Sequence, residues 1–138
     1  MKLYEIMNHV LATIDAQDSV AQARAKMHQY RSHHLVVMRG MEVAGSLSRD
    51  DLKRAHSSPV GDLLAPLREW MAAVVVASPT ATVDEATALI AGRAVGGVVV
   101  RHDGAVIGFV PRERLADAGH IQHSARHIQH SARRHIGD

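Results

Sequence analysis

The chain has 138 residues, of which 46% are hydrophobic, 22% charged and 3% aromatic, with no cysteine and a formal net charge of +2. Those values belong to a folded globular chain with one shared core, and they exclude disulfides, thiolate metal sites and cysteine nucleophiles, while the scarcity of aromatics leaves few platforms for stacking nucleic-acid bases. The positive excess sits in residues 120–138, where Arg126, Arg133 and Arg134 stand against Asp138; the 13 remaining basic and 13 remaining acidic residues balance, so no gross field for nucleic acid or anionic lipid is expected.

In chain order, Met1-Lys2-Leu3-Tyr4-Glu5 lacks an apolar signal region, and the apolar run from Met71 to Ala77 is too short to cross a bilayer. A cytoplasmic protein with no membrane span is therefore expected. Val10 to Ile14 reads as a strand. Ser19-Val20-Ala21-Gln22 fits a capping box, in which a hydroxyl and a Gln or Glu three residues later satisfy orphan N–H groups, and it opens a helix to about Tyr30. Leu35 to Met38 and Glu42 to Leu47 form a hairpin around Arg39-Gly40, and Ser48 caps a short helix. Ser57 to Arg68, with Pro59, Gly61 and Pro66, reads as a connector.

The same signals then return. Val74 to Ala77 is a strand, Thr82-Val83-Asp84-Glu85 a second capping box, and a helix runs to about Arg93. Val98 to Arg101 and Ala105 to Val110 form a hairpin over Asp103-Gly104, a strong turn dipeptide, and Pro111 suits the first position of a closing helix. A gapless offset of 63 residues pairs Val20 with Val83, Ala23 with Ala86, Ala25 with Ala88, Val36 with Val99 and Val37 with Val100. It continues through Val43 and Val106, Gly45 and Gly108, Arg49 and Arg112, Leu52 and Leu115, and Ala55 and Ala118. Ten identities over residues 19–55 exceed the about three or four that so Ala- and Val-rich a chain would give by chance. One strand, helix, strand, strand, helix unit is too small to bury its own apolar faces, so two copies are expected to pack sheet to sheet.

This order, together with Gly45-Ser46-Leu47-Ser48-Arg49-Asp50-Asp51-Leu52 and the Leu35-Val36-Val37 strand before it, resembles a CBS domain. The doubled unit resembles a tandem CBS pair, or Bateman module, over roughly residues 7–118. The resemblance implies an α+β fold of two β-α-β-β-α repeats, sheet to sheet with pseudo-twofold symmetry. The boundaries read as 7–57 for repeat 1, 58–69 for a linker, 70–119 for repeat 2 and 120–138 for a tail, disordered or loosely helical.

Ser48 and Asp51 stand at a helix start, where free N–H groups attract phosphate, while a carboxylate can accept from the two hydroxyls of a ribose. In the family these positions take those roles for adenosine ligands; Arg49 could add a phosphate contact. The same residues also make an ordinary helix cap, which is the plainer alternative. The resemblance further implies a base slot walled by the other repeat near Val75 and near Val95-Gly96, positions that equally suit core valines. In the second copy Pro111 and Arg114 replace Ser48 and Asp51, so one nucleotide site per chain is expected.

Eleven histidines raise the question of metal. His33 and His34 are adjacent and should point opposite ways on a strand, so no metal site is expected there. In the tail, His120 to Arg126 recurs as His127 to Arg133, and His123 and His127 would lie at metal-bridging spacing if that segment were helical. The functional expectation is a non-catalytic regulatory module with no required cofactor, binding an adenine nucleotide (AMP, ADP or ATP), associating as a homodimer and acting on an unknown effector protein. The alternatives are a ligand-free interaction module and a histidine-tail metal binder. No nucleophile and base recur together and no Gly-rich phosphate loop is present, so no catalytic residue is named.

Overall fold

The computed structural model describes residues 1–9, 12–57 and 67–119. Its strands are β1 (Asn8–His9), β2 (Thr13–Asp15), β3 (His34–Arg39), β4 (Glu42–Ser48), β5 (Ala73–Ala77), β6 (Val95–His102) and β7 (Ala105–Pro111). Its helices are α1 (Val20–Tyr30), α2 (Arg49–Ser57), α3 (Val83–Ile90) and α4 (112–119), with short 3-10 turns at Leu3–Glu5 and Leu67–Glu69. The tail, its duplicated histidine segment and most of the connector lie outside the described residues.

Each repeat begins with a parallel strand pair that a helix must cross over, β2 with β3 through α1 and β5 with β6 through α3. The capping box forms in full at the first helix start, where Ser19 Oγ accepts from Gln22 N while Gln22 Oε1 accepts from Ser19 N; at the second only its hydroxyl half is present, Thr82 Oγ1 accepting from Glu85 N at 3.0 Å. An antiparallel hairpin follows in each copy, β3–β4 and β6–β7, with a register shift at repeat-equivalent places, Val37/Met38 and Val100/Arg101. The Asp103-Gly104 turn has φ of 49° and 81°, as a tight primed hairpin turn requires.

Two helices differ from the sequence expectation. α3 stops at Ile90, three residues early, because Ala91 turns to extended ψ and Gly92 takes a φ of 73°. Pro111 ends β7, paired with Gly97, and α4 begins only at residue 112.

The sheets have the orders β2-β3-β4 and β1-β7-β6-β5. Alternate residues of the central strands serve different layers. Leu35 and Val37 face the core of repeat 1, with Ile14, Val20, Leu47 and Leu52, while Val98 and Val100 face that of repeat 2, with Val83, Val110 and Leu115. Val36 and Val99 instead meet Phe109 in a third cluster, flanked by Met38, Val43, Val74 and Val106, that joins the two sheets. Burial on both faces explains why these strands read as unbroken apolar runs.

The repeats also exchange segments. Leu3, ahead of repeat 1, is fully buried in the core of repeat 2, and Leu3 N donates to Ala81 O at 2.9 Å. Leu67, ahead of repeat 2, is fully buried in the core of repeat 1, and Ser46 and Ala72 exchange backbone hydrogen bonds of 2.9 and 2.8 Å. Among the described residues no helix is long and apolar enough to cross a membrane.

Candidate functional site

The end of β4 and the start of α2 form one wall of a cleft of about 860 Å³ whose other wall comes from repeat 2. Ser48, Arg49 and Asp51 line it from repeat 1; Ala72, Val95 and Gly96 line it from the other side. Five of the six ligand residues named from sequence, Ser48, Arg49, Asp51, Val95 and Gly96, are thus brought to one cavity. Val75 is not among its lining residues. It is half-buried against the core of repeat 2, and Ala72 stands at the cleft wall instead.

Close approach of the two repeats shapes this wall. A Cβ built on Gly96 would stand 2.6 Å from Ser46 Oγ and 3.0 Å from Ala72 Cβ, and one on Gly45 would stand 2.6 Å from Ala72 O. Bare backbone at both positions is what lets the strands meet here.

Ser48 and Asp51 form a reciprocal cap. Ser48 N donates to Asp51 Oδ2 at 2.8 Å and Asp51 N donates to Ser48 Oγ at 3.0 Å. Asp51, 9% exposed, also accepts from Arg54 through Oδ1. Both readings of this motif therefore occupy the same atoms: the residues cap α2 and they face the cleft. Each carboxylate oxygen has two lone pairs and uses one here, which leaves one acceptor on each for an incoming hydroxyl. The Arg54 side chain is 67% exposed, so its ion pair is weakly held against a competing partner.

The CBS domain model matches the chain twice, over residues 3–58 and 67–120. The chain belongs to the CBS domain family. It is similar in fold to a CBS-domain-containing protein from Agrobacterium tumefaciens, with 19% identity and a TM-score of 0.62 over 86% of this chain and 98% of that one. It is likewise similar to CBSX2 in complex with AMP, at 17% identity and a TM-score of 0.62 over 86% and 95% of the two chains. A third similar structure is the CBS domain pair of protein MJ0100 in complex with 5′-methylthioadenosine and S-adenosyl-L-methionine, at 19% identity and a TM-score of 0.65 over 86% and 98%. No curated protein matches the chain.

In this CBS pair the second cleft, about 430 Å³, lies beside the first and is lined by Arg31, Ser32, Phe109 and Arg114. Asn8, His33, His34 and Arg114 line both cavities. His33 precedes β3, so strand alternation does not govern it, and both His33 and His34 are lining residues of the two clefts. His34 lies against Phe109, ring centroids 5.5 Å apart, and its Nε2 is 3.8 Å from Glu113 Oε1. Burial lowers its pKa below the usual imidazole value; Glu113 opposes that shift, His33 adds to it, Asp51 opposes it and Arg114 adds to it. Arg114 Nη1 donates to Ile6 O at 3.3 Å and to Asn8 Oδ1 at 2.5 Å, drawing β1 and α4 together. No group of three or more His, Asp or Glu suited to a metal ion occurs among the described residues.

Asn8, His34 and Arg114 were not named as ligand residues from sequence. Their only signal is positional, since Arg114 sits where the repeat would place an aspartate.

Proposed function

We propose that this CBS pair is a regulatory module that binds one adenosine-type ligand, such as AMP, ADP, ATP or an S-adenosyl compound, in the first cleft. One observation carries the reading: Ser48 and Asp51 of one repeat face Ala72, Val95 and Gly96 of the other across a single cavity. The Ser48 hydroxyl, which accepts in the cap but keeps its hydrogen to donate, and the positive end of α2 suit a phosphate, the open acceptors of Asp51 suit ribose hydroxyls, and the close backbone at Gly96 suits the flat edge of a base. That AMP, 5′-methylthioadenosine and S-adenosyl-L-methionine occupy proteins of the same fold supports this ligand class. Binding would stiffen the contact between repeats and pass through a homodimer to an effector protein. No reacting group is assigned, and the module is not proposed to be an enzyme.

Titration calorimetry of the full chain with AMP, ADP, ATP and S-adenosylmethionine tests the proposal. At least one should bind, and at about 100 times its Kd it should stabilise the fold by about 2.7 kcal/mol. Asp51→Asn keeps an oxygen for the Ser48 cap but loses the paired acceptors, so it should weaken that ligand tenfold or more. Silence from the whole panel, or unchanged affinity in the variant, would overturn the reading.

A second reading follows from Asp51 being held by Ser48 and Arg54. If that cap is the residue's whole role, the pair is a ligand-free interaction module, and the same titration separates the two.

A further inference from the structure

The second cleft departs chemically from the first. Its lining includes Arg31, Arg114, His33 and His34, and no carboxylate residue lines it among the described residues. The first cleft offsets its Arg and Lys residues with Asp50, Asp51, Glu113 and Asp117. Where a ribose acceptor would stand, Arg114 offers donors instead; where a serine hydroxyl and N–H would stand, Pro111 offers neither.

Arg31 adds a separate observation. It ends α1 with φ 50° and ψ 42°, a left-handed conformation that ordinarily selects glycine, and repeat 2 places Gly92 at φ 73° after its own helix. A non-glycine residue here is strained, and such strain persists where something else favours the side chain. Its guanidinium has no hydrogen-bond or ion-pair partner among the described residues, and Arg31 lines both this cleft and a neighbouring hollow beside His28 and Arg49. Arg114 spends one nitrogen on Ile6 and Asn8, leaving further N–H donors of its fork.

We infer that the second cleft is a site for a compact oligophosphate anion, of which inorganic pyrophosphate is the simplest, clamped between Arg31 and Arg114 with His33 and His34 beside it. Two planar forks across a small cleft match the several oxygens of such an anion, which needs neither a ribose acceptor nor a base slot. The apolar floor of Val36 and Phe109 excludes water from one side and strengthens those contacts. The inference does not rest on adenosine binding in the first cleft.

Calorimetry of the full chain with inorganic pyrophosphate at low ionic strength, with adenosine as the uncharged comparison, tests it. Pyrophosphate should bind with an affinity that falls as salt is added, and adenosine should not compete for it. Arg31→Gly removes one fork while relieving the left-handed strain, so its melting temperature should equal or exceed the parent's; it should nevertheless weaken pyrophosphate tenfold or more. Arg114→Gln should weaken it similarly, whereas Asp51→Asn should leave it within twofold. No binding to the parent chain overturns the inference, as does unchanged affinity in either arginine variant, which would put the anion elsewhere, for instance on the basic residues beyond 120. Loss of AMP binding with pyrophosphate binding intact in Asp51→Asn separates this site from the first cleft.

Discussion

His34 ties the fold to proton activity. Its side chain is 21% exposed, held between Phe109 of β7 and Glu113 of α4, with His33, Asp51 and Arg114 as the other charged or titratable groups facing it. Burial favours the neutral ring, so in the folded chain the proton binds less readily than at the unfolded value of 6.5. Where the unfolded chain holds more protons, stability rises with pH. His34 therefore leaves stability undiminished above that unfolded value, subtracts from it as pH falls from there towards the lowered folded value, and subtracts nothing more below it. Urea unfolding at about pH 7.5 and about pH 5.5 should show a smaller loss for His34→Gln than for the parent. An equal loss in both proteins would show that the ring does not carry this linkage.

At the scale of elements, the short segments ahead of each repeat matter out of proportion to their length. Leu3 and Leu67 each cap the core of the other repeat, with no exposed surface. Leu3→Ala should cost about 2–5 kcal/mol, the range for emptying a packed leucine site, and the neighbouring Tyr4→Ala, at a half-exposed position, far less. Equal effects in chemical denaturation would mean that the segment does not dock. These two leucines were illegible in sequence for a physical reason. Each lies in a three-residue turn too short to show a helix or strand period, and its partners, such as Val83 and Leu115 for Leu3, lie far along the chain. Helix starts and hairpins were legible because their signals are local: a hydroxyl and its Gln or Glu partner, or Asp103-Gly104. The cleft falls between these cases. Ser48 and Asp51 announce themselves within four residues, whereas Ala72 reaches the wall only through its bridge to Ser46, and Val75, within β5, packs on the core of repeat 2.

For the whole molecule, the exchange predicts how it comes apart. Each core contains a residue covalently attached ahead of the other repeat, and the sheets share Val36, Val99 and Phe109, each worth about 1.5–3 kcal/mol when fully buried. A repeat that unfolded alone would pull a leucine from its neighbour and strip that shared layer, so the survivor would lose contacts from both its own core and the sheet-to-sheet face. Unfolding should therefore be a single transition. Trp70 packs against the core of repeat 1, so its fluorescence reports that repeat, while far-ultraviolet circular dichroism reports the helices and strands of both. The two signals should share one midpoint in urea, as two-state unfolding requires. Phe109→Ala, which opens the layer between sheets, should lower that midpoint without splitting it. A fluorescence midpoint displaced from the dichroism midpoint in the parent chain would instead mean that the repeats are separate folding units and that the clefts between them form only after both have folded.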